Sequence, residues 1–320
     1  MSQPARRSSA RNRGGRPVNG VLLLDKSSGT TSSAAVQAVR RLFRAQKAGH
    51  TGTLDPMASG LLPICLGEAT KFSHLLLGAD KAYVATVHLG VTTTTGDLEG
   101  ETTARHAVEA TPAGIEDALK GFTGEILQTP PMYSALKHNG QRLYKLARAG
   151  GDVPRAPRSI VIHRLDLLGV EGDVVRIFVS CSKGTYVRVL AEDIGRVLGC
   201  GACLSALRRE AVGTFRLSRG SVSLEQIERM APGERDALLL PADTPVSSLP
   251  RVDLDLEGAL RLRNGQRVAH RAVPDEGLAR IYGPGGIFLG VAEVRAQGQI
   301  VPRRLVSGAS AAAVAGPSIA

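Results

Sequence analysis

The sequence predicts an α+β fold followed by a small β-rich module, and three observations carry that prediction. Strand-like and helix-like segments mix without a strict strand–helix–strand rhythm. No glycine-rich phosphate loop follows a strand, which disfavours a doubly wound nucleotide-binding sheet. A proline- and serine-rich stretch, PADTPVSSLP at 241–250, sets off a last segment of about 55 residues patterned mainly as strands. At 320 residues the chain is long enough for about two domains.

The elements can be taken in order. Gly20–Leu24 is a short apolar run and reads as a strand. Ser32–Gln46 reads as a helix, with Val36, Val39 and Phe43 on one face and Arg40, Arg44 and Lys47 as a basic stripe on another. Such a stripe is either a solvated face or a surface that meets phosphates. Tyr83–Leu89 alternates, placing Tyr83, Ala85, Val87 and Leu89 on one side of a strand. Thr111-Pro112 caps a helix marked by Ile115, Leu119 and Phe122. Val174–Cys181 is a further strand, and Val187, Leu190, Ile194 and Val197 mark a helix that stops at Gly199. Beyond residue 250, a short helix at Leu256–Arg263 precedes strands at Arg280–Tyr282, Ile287–Val294 and Ile300–Leu305, with a Gly-Pro-Gly-Gly turn among them. Residues 1–17 read as a disordered basic arm and 306–320 as a flexible tail.

Composition narrows the function. The formal charge is +11, and the first 16 residues supply five arginines and no acid. The positive excess left on the folded body favours a polyanionic partner. Aromatic residues are only 3% of the chain and tryptophan is absent, so binding by extended base stacking is disfavoured. No apolar run approaches the roughly 18 residues of a membrane helix, and no secretory signal opens the chain, so no membrane association is expected. Four cysteines fit a reducing cytosol. Cys200 and Cys203 form a CxxC, but no second spaced pair completes a zinc site, so no metal is expected.

The densest segment is GHTGTLDPMASGLLPICLGEATK, Gly49 to Lys71, where glycines flank the lone carboxylate of Asp55. Such spacing brings backbone close to a ligand, or else makes an Asp-Pro turn in which Asp55 bonds only its own backbone. Together with GVLLLDK, DKAY, PPMYSALK, SKGTYVR, LGCGA and LRR, in that order, this segment resembles the TruB family of tRNA pseudouridine-55 synthases from about Asn19 to Leu305.

The resemblance implies a mixed, largely antiparallel pseudouridine-synthase sheet with flanking helices over 18–245. It also implies an RNA-clasping insertion at about 128–155 and a PUA-type RNA-binding domain at 250–305. The implied reaction isomerises the uridine at position 55 in the T arm of tRNA. It needs no cofactor, no membrane and no protein partner, and the implied protein is a cytoplasmic monomer. Asp55 stands at the position of the catalytic aspartate. Tyr83 stands where a tyrosine stacks on the target base and is implicated in proton removal. Tyr186 matches an active-site tyrosine, and Arg188 the arginine that pairs with the aspartate. His50 matches a histidine that fills space left by the flipped nucleotide, Leu207 an apolar contact to the base, and Lys26 a lysine supporting the site or the RNA. The other histidines lack such context and read as structural.

The chemistry of these residue types agrees with the implied reaction. Uridine becomes pseudouridine by breaking a C–N glycosidic bond and making a C–C bond to the same base, with no net redox change. The requirements are an ionised carboxylate, a cation to orient it, and access to a flipped base. Three positions depart from the family pattern: Ser27 in place of a common proline, Cys203 in place of a common histidine or tyrosine, and Glu210 after LRR. Two alternatives stand beside the stand-alone enzyme: a guide-dependent synthase, and a chaperone that folds tRNA without chemistry.

Overall fold

The computed structural model describes residues 14–270 and 276–307; most of the expected basic arm and tail lies outside them. Nine strands form one mixed sheet. They are β1 (Gly20–Lys26), β2 (Ala48–His50), β3 (Ser59–Leu66), β4 (Lys81–Leu89), β5 (Gly124–Gln128), β6 (Arg158–Glu171), β7 (Val174–Cys181), β8 (Ala202–Val212) and β9 (Phe215–Arg216). The main order is β1-β3-β8-β4-β7-β6-β5, with β2 paired to β3 and β9 to β8. Every pairing is antiparallel except β3 with β8, where Arg208 and Arg209 run parallel to Ser59 and Gly60. This is the α+β class read from the sequence.

Along β4 the buried residues are Tyr83, Ala85, Val87 and Leu89, the alternation expected of a half-covered strand. The helices are α1 (Ser32–Leu42), α2 (Pro112–Lys120), α3 (Leu143–Arg148), α4 (Val187–Val197), α5 (Leu224–Arg229) and α6 (Leu256–Arg263), beside shorter helical turns. Thr31 caps α1 and Thr111 caps α2, each accepting from a backbone N–H three residues on. Apolar residues of α1, α2 and α4 join Leu24, Ile64, Ala85, Ile177 and Leu204 in one core. Among the described residues no helix is long and apolar enough to cross a membrane.

The first helix is shorter than its periodicity predicts. It ends at Leu42 because Phe43 turns into the core and Arg44 takes a left-handed conformation, φ +50°. Arg44 and Lys47 therefore leave the helix, and only Arg40 of the expected stripe remains on it. Residues 137–142 form a small hairpin about Asn139-Gly140, both with positive φ, and α3 follows. Its exposed surface carries Lys137, His138 and Arg142.

Residues 251–305 form a separate five-stranded sheet from β10 (Arg251–Asp253), β11 (Val268–Ala269), β12 (Gly277–Gly283), β13 (Ile287–Arg295) and β14 (Gln299–Leu305), in the order β10-β12-β13-β14-β11. α6 packs Ala259 and Leu262 against it. This sheet docks on the first domain through Lys71 Nζ, which donates to the Leu305 carbonyl at 2.9 Å, and through Glu68, which accepts from the Ser307 amide at 2.6 Å. Phe72 meets Phe288 edge-on, with ring centroids 5.3 Å apart.

Candidate active site

Asp55 lies in the loop between β2 and β3, and the preceding part of the chain fixes that loop. Ser32 Oγ donates to the Leu54 carbonyl at 2.9 Å and accepts from the Leu54 amide at 2.8 Å. Ser28 Oγ donates to the Met57 carbonyl at 2.8 Å, and Gly29 N to the Pro56 carbonyl. The Asp55 carbonyl itself accepts from the Ala58 amide. The expected Asp-Pro turn is present, but the Asp55 side chain is directed elsewhere.

That side chain meets Arg188, near the start of α4. Arg188 Nε donates to Asp55 Oδ2 at 2.9 Å, and Asp97 Oδ2 lies 3.5 Å from the same nitrogen. The other guanidinium nitrogens donate to the carbonyls of Thr95 at 2.9 Å and Tyr133 at 2.8 Å. The Arg188 side chain is 6% exposed and that of Asp55 37%. A buried cation thus holds a carboxylate that still faces the open side. Asp97 is buried and in turn accepts from Thr95 Oγ1 at 2.5 Å and from the Glu99 amide at 3.1 Å. Burial, with the charges of Asp97 and Asp55, pushes the Glu99 carboxyl up.

Tyr83 lies on β4 opposite Arg209 of β8 and Val179 of β7, and Leu207 lies opposite Ala85. Paired positions project to one face, so Tyr83 and Leu207 share the face that Arg209 also uses. Burial pushes the Tyr83 phenol up to about 12, against the opposing pull of the Arg209 cation. Arg209 is itself fully buried. It donates to the carbonyls of Leu61 at 2.7 Å, Gly52 at 3.2 Å and Thr53 at 3.4 Å, binding the Asp55 loop to the sheet.

Tyr186 is held by its backbone. Gln128 accepts from the Tyr186 amide at 2.7 Å and donates to its carbonyl at 3.1 Å. Lys26 is buried, and its ammonium donates to the carbonyls of Thr30 at 2.7 Å, Ser27 at 2.9 Å and Pro56 at 3.4 Å. Burial brings the Lys26 ammonium down to about 8, although the Asp55 and Glu99 charges oppose this. His50 ends β2, and its Nδ1 accepts from the Gly52 amide at 3.2 Å. Burial lowers its pKa, so the ring is neutral at neutral pH.

The Asp55 charge acts on Lys26, Tyr83, Glu99 and Tyr186, which gathers residues from four separated stretches of chain around one carboxylate. His50 is acted on instead by the charges of Arg209 and Arg142. Sequence reading missed Asp97, Glu99 and Gln128, and met Arg209 only as the end of LRR. Asp97 stands in a threonine-rich turn that carries no motif of its own, and Gln128 closes a strand. Only tertiary contact gives either a role. Of the departures noted above, Glu210 sits 3.5 Å from Arg208, which pairs with Asp25 at 2.7 Å, and Cys203 is buried in β8.

Three family models match consecutive parts of the chain. Residues 40–187 match the TruB family pseudouridylate synthase N-terminal domain. Residues 188–247 match the tRNA pseudouridylate synthase B C-terminal domain. Residues 250–306 match the pseudouridine synthase II TruB C-terminal model. A protein named tRNA pseudouridine synthase B from Methylobacillus flagellatus is 53% identical over 291 residues, 91% of this chain and 96% of that one. One of the same name from Aromatoleum aromaticum is 56% identical, over 91% of this chain and 94% of that one. Among solved structures, a chain of a Cbf5-Nop10-Gar1 complex superposes with a TM-score of 0.69 at 26% identity, covering 90% of this chain and 84% of that one. A chain of an archaeal box H/ACA Nop10-Cbf5 complex shares the fold at a TM-score of 0.69 and 23% identity, covering 94% of this chain and 93% of that one.

Proposed function

The chain belongs to the TruB family of pseudouridylate synthases, and on that premise we propose that it isomerises uridine 55 in the T arm of tRNA to pseudouridine. The observation that carries the reading is the Asp55 carboxylate, open on one side and held on the other by the buried guanidinium of Arg188. The name shared by relatives at 53% and 56% identity supports the choice of tRNA as substrate.

The reaction breaks the bond from C1′ to N1 of uracil, joins C1′ to C5, and exchanges a proton on C5 for one on N1. Asp55 supplies the ionised carboxylate at the reacting centre, and Arg188 fixes its direction and keeps a counter-charge beside it. A phenol pushed up to about 12 keeps its proton at neutral pH, so Tyr83 serves as a flat neutral platform for the base. The proton leaving C5 passes by way of the neutral Tyr83 hydroxyl to water at the open side of the site, and N1 takes up a proton in exchange. Leu207 adds an apolar contact on the same face, and Tyr186 lines the opening.

Uridine within a folded T loop cannot reach Asp55 without flipping, which takes a few kcal/mol. The neutral ring of His50 fills the space the nucleotide leaves. Lys26 holds the turn that carries Asp55. Residues 128–155 clasp the T arm with their exposed lysines and arginines, and 250–305 act as a PUA-type grip on RNA away from the reacting base. The protein works as a cytoplasmic monomer without a guide or protein partner.

The test is to incubate the purified protein with an unmodified tRNA transcript and map pseudouridine. The expected result is modification at position 55. No modification, or modification only when another protein or a guide RNA is added, would overturn the reading.

A further inference from the structure

The basic residues after the first helix remain outside the site described above. Arg40, Arg41, Arg44 and Lys47 are all exposed, and among the described residues none has a carboxylate at ion-pair distance. Asp236 pairs with Arg16, whose amide bonds the Arg44 carbonyl, and Glu68 pairs with Lys71 at 2.7 Å. These four exposed cations within eight residues repel one another, and among the described residues no ion pair offsets them.

The early end of α1 gives this cluster its shape. Because Arg44 turns left-handed and its carbonyl accepts from the Arg16 amide at 2.8 Å, the chain bends back, and Lys47 comes to face the same space as Arg40. That space is an open groove of about 520 Å³, lined by Gly14, Arg40, Gln46, Lys47, Ala48 and Thr70. Gln46 uses one amide hydrogen on the Gly15 carbonyl at 3.1 Å and has a second to donate. Two cations and an amide donor around an open groove suit a phosphodiester backbone better than an apolar or cationic ligand.

The groove adjoins the site along the chain. Lys47 directly precedes β2, and β2 ends at His50. At about 3.3 Å per strand residue, Lys47 and His50 are roughly 10 Å apart.

We infer that this groove is a phosphate-binding track for the backbone of the same tRNA, beyond the end of β2 that carries His50. The inference rests on the tRNA reading above. The track adds affinity and leaves the chemistry at Asp55 untouched.

The test replaces Arg40, Arg44 and Lys47 together by Gln in the full chain. Binding of unmodified tRNA transcript is measured across a range of salt, alongside single-turnover pseudouridine formation at saturating protein. Each lost phosphate contact should lower the slope of log affinity against log salt by about 0.7–0.9. The expected result is a slope reduced by about 2 and affinity at moderate salt weakened about tenfold or more. The saturated rate should stay within about twofold and the melting curve should not move. A control that neutralises Lys120, Arg176 and Arg219 removes equal charge elsewhere and should change the slope far less.

An unchanged slope overturns the inference, as does an equal loss in the control, which would reduce the effect to net charge. A fall in the saturated rate with normal affinity also overturns it. If the unaltered protein forms no pseudouridine on the same transcript, the functional reading fails by itself, and the slope still decides whether the groove binds RNA.

Discussion

Replacing Arg188 by Met probes the electrostatic centre of the site. The two side chains are similar in volume, so packing changes less than charge does. The substitution removes the donor to Asp55 at 2.9 Å, the cation 3.5 Å from buried Asp97, and the donors to the carbonyls of Thr95 and Tyr133. Breaking one partner out of a buried ion pair costs about 3–5 kcal/mol, because it leaves an uncompensated buried charge, here that of Asp97. The two carbonyls belong to the same network and are not added separately. At roughly 2–4 °C per kcal/mol for a domain of this size, the melting temperature should fall by about 6–20 °C. Loss of one preorganised donor at a reacting centre costs about 10²–10³ in rate.

Arg188→Lys keeps the charge but can direct it at only part of the fan of acceptors. It should recover most of the stability and little of the rate. The assays are thermal unfolding and single-turnover pseudouridine formation at saturating protein. A Met variant as stable as the parent would refute Arg188 as the counter-charge of Asp97. A Lys variant with full rate would refute the need for its geometry.

Three further outcomes are expected. A Cβ on Gly60, at φ +97°, would lie 2.4 Å from the Arg209 carbonyl oxygen and 2.7 Å from its amide, so Gly60→Ala should lower stability by at least about 2 kcal/mol in denaturant titration; a shift under about 0.5 kcal/mol would show that the β3–β8 contact yields easily. Lys26 is held near 8 in the folded protein but titrates near 10.5 unfolded, so between these values only the unfolded chain carries its proton and stability rises with pH. Relative to Lys26→Met, the parent should gain stability over that interval by at most about 1.4 kcal/mol per pH unit, and a pH-independent difference would contradict the assignment. Because the isomerisation is redox-neutral and keeps every atom, activity on folded tRNA should persist in excess EDTA; activity restored only by zinc would revive Cys200 and Cys203.

Local pattern made much of the fold legible. The alternation of Tyr83, Ala85, Val87 and Leu89 marked a half-covered strand, and Thr111-Pro112 marked a helix start. The proline- and serine-rich stretch before residue 251 marked where the second sheet begins. The end of α1 was not legible, because periodicity carried on to Gln46 while the burial of Phe43 and the turn at Arg44 are tertiary facts. The parallel pairing of β3 with β8 was equally silent, since it joins residues about 150 apart in sequence. Within the site, resemblance drew attention to Asp55, Tyr83, Tyr186 and Arg188 because each lies inside a long motif. Asp97 and Gln128 carry no local signature, and the burial of Arg209 contradicts the usual exposure of arginine.

The central claim is that the Asp55 carboxylate performs the isomerisation on tRNA, and Asp55→Asn tests it most directly. The amide keeps the size and can still accept from Arg188 Nε, but it supplies no ionised group. RNA affinity rests mainly on lysine and arginine contacts to phosphate. Pseudouridine formation in single turnover should fall below detection, while tRNA binding stays within about tenfold, roughly 1.4 kcal/mol. A near-normal yield of pseudouridine from the variant would contradict the account and remove Asp55 from the mechanism.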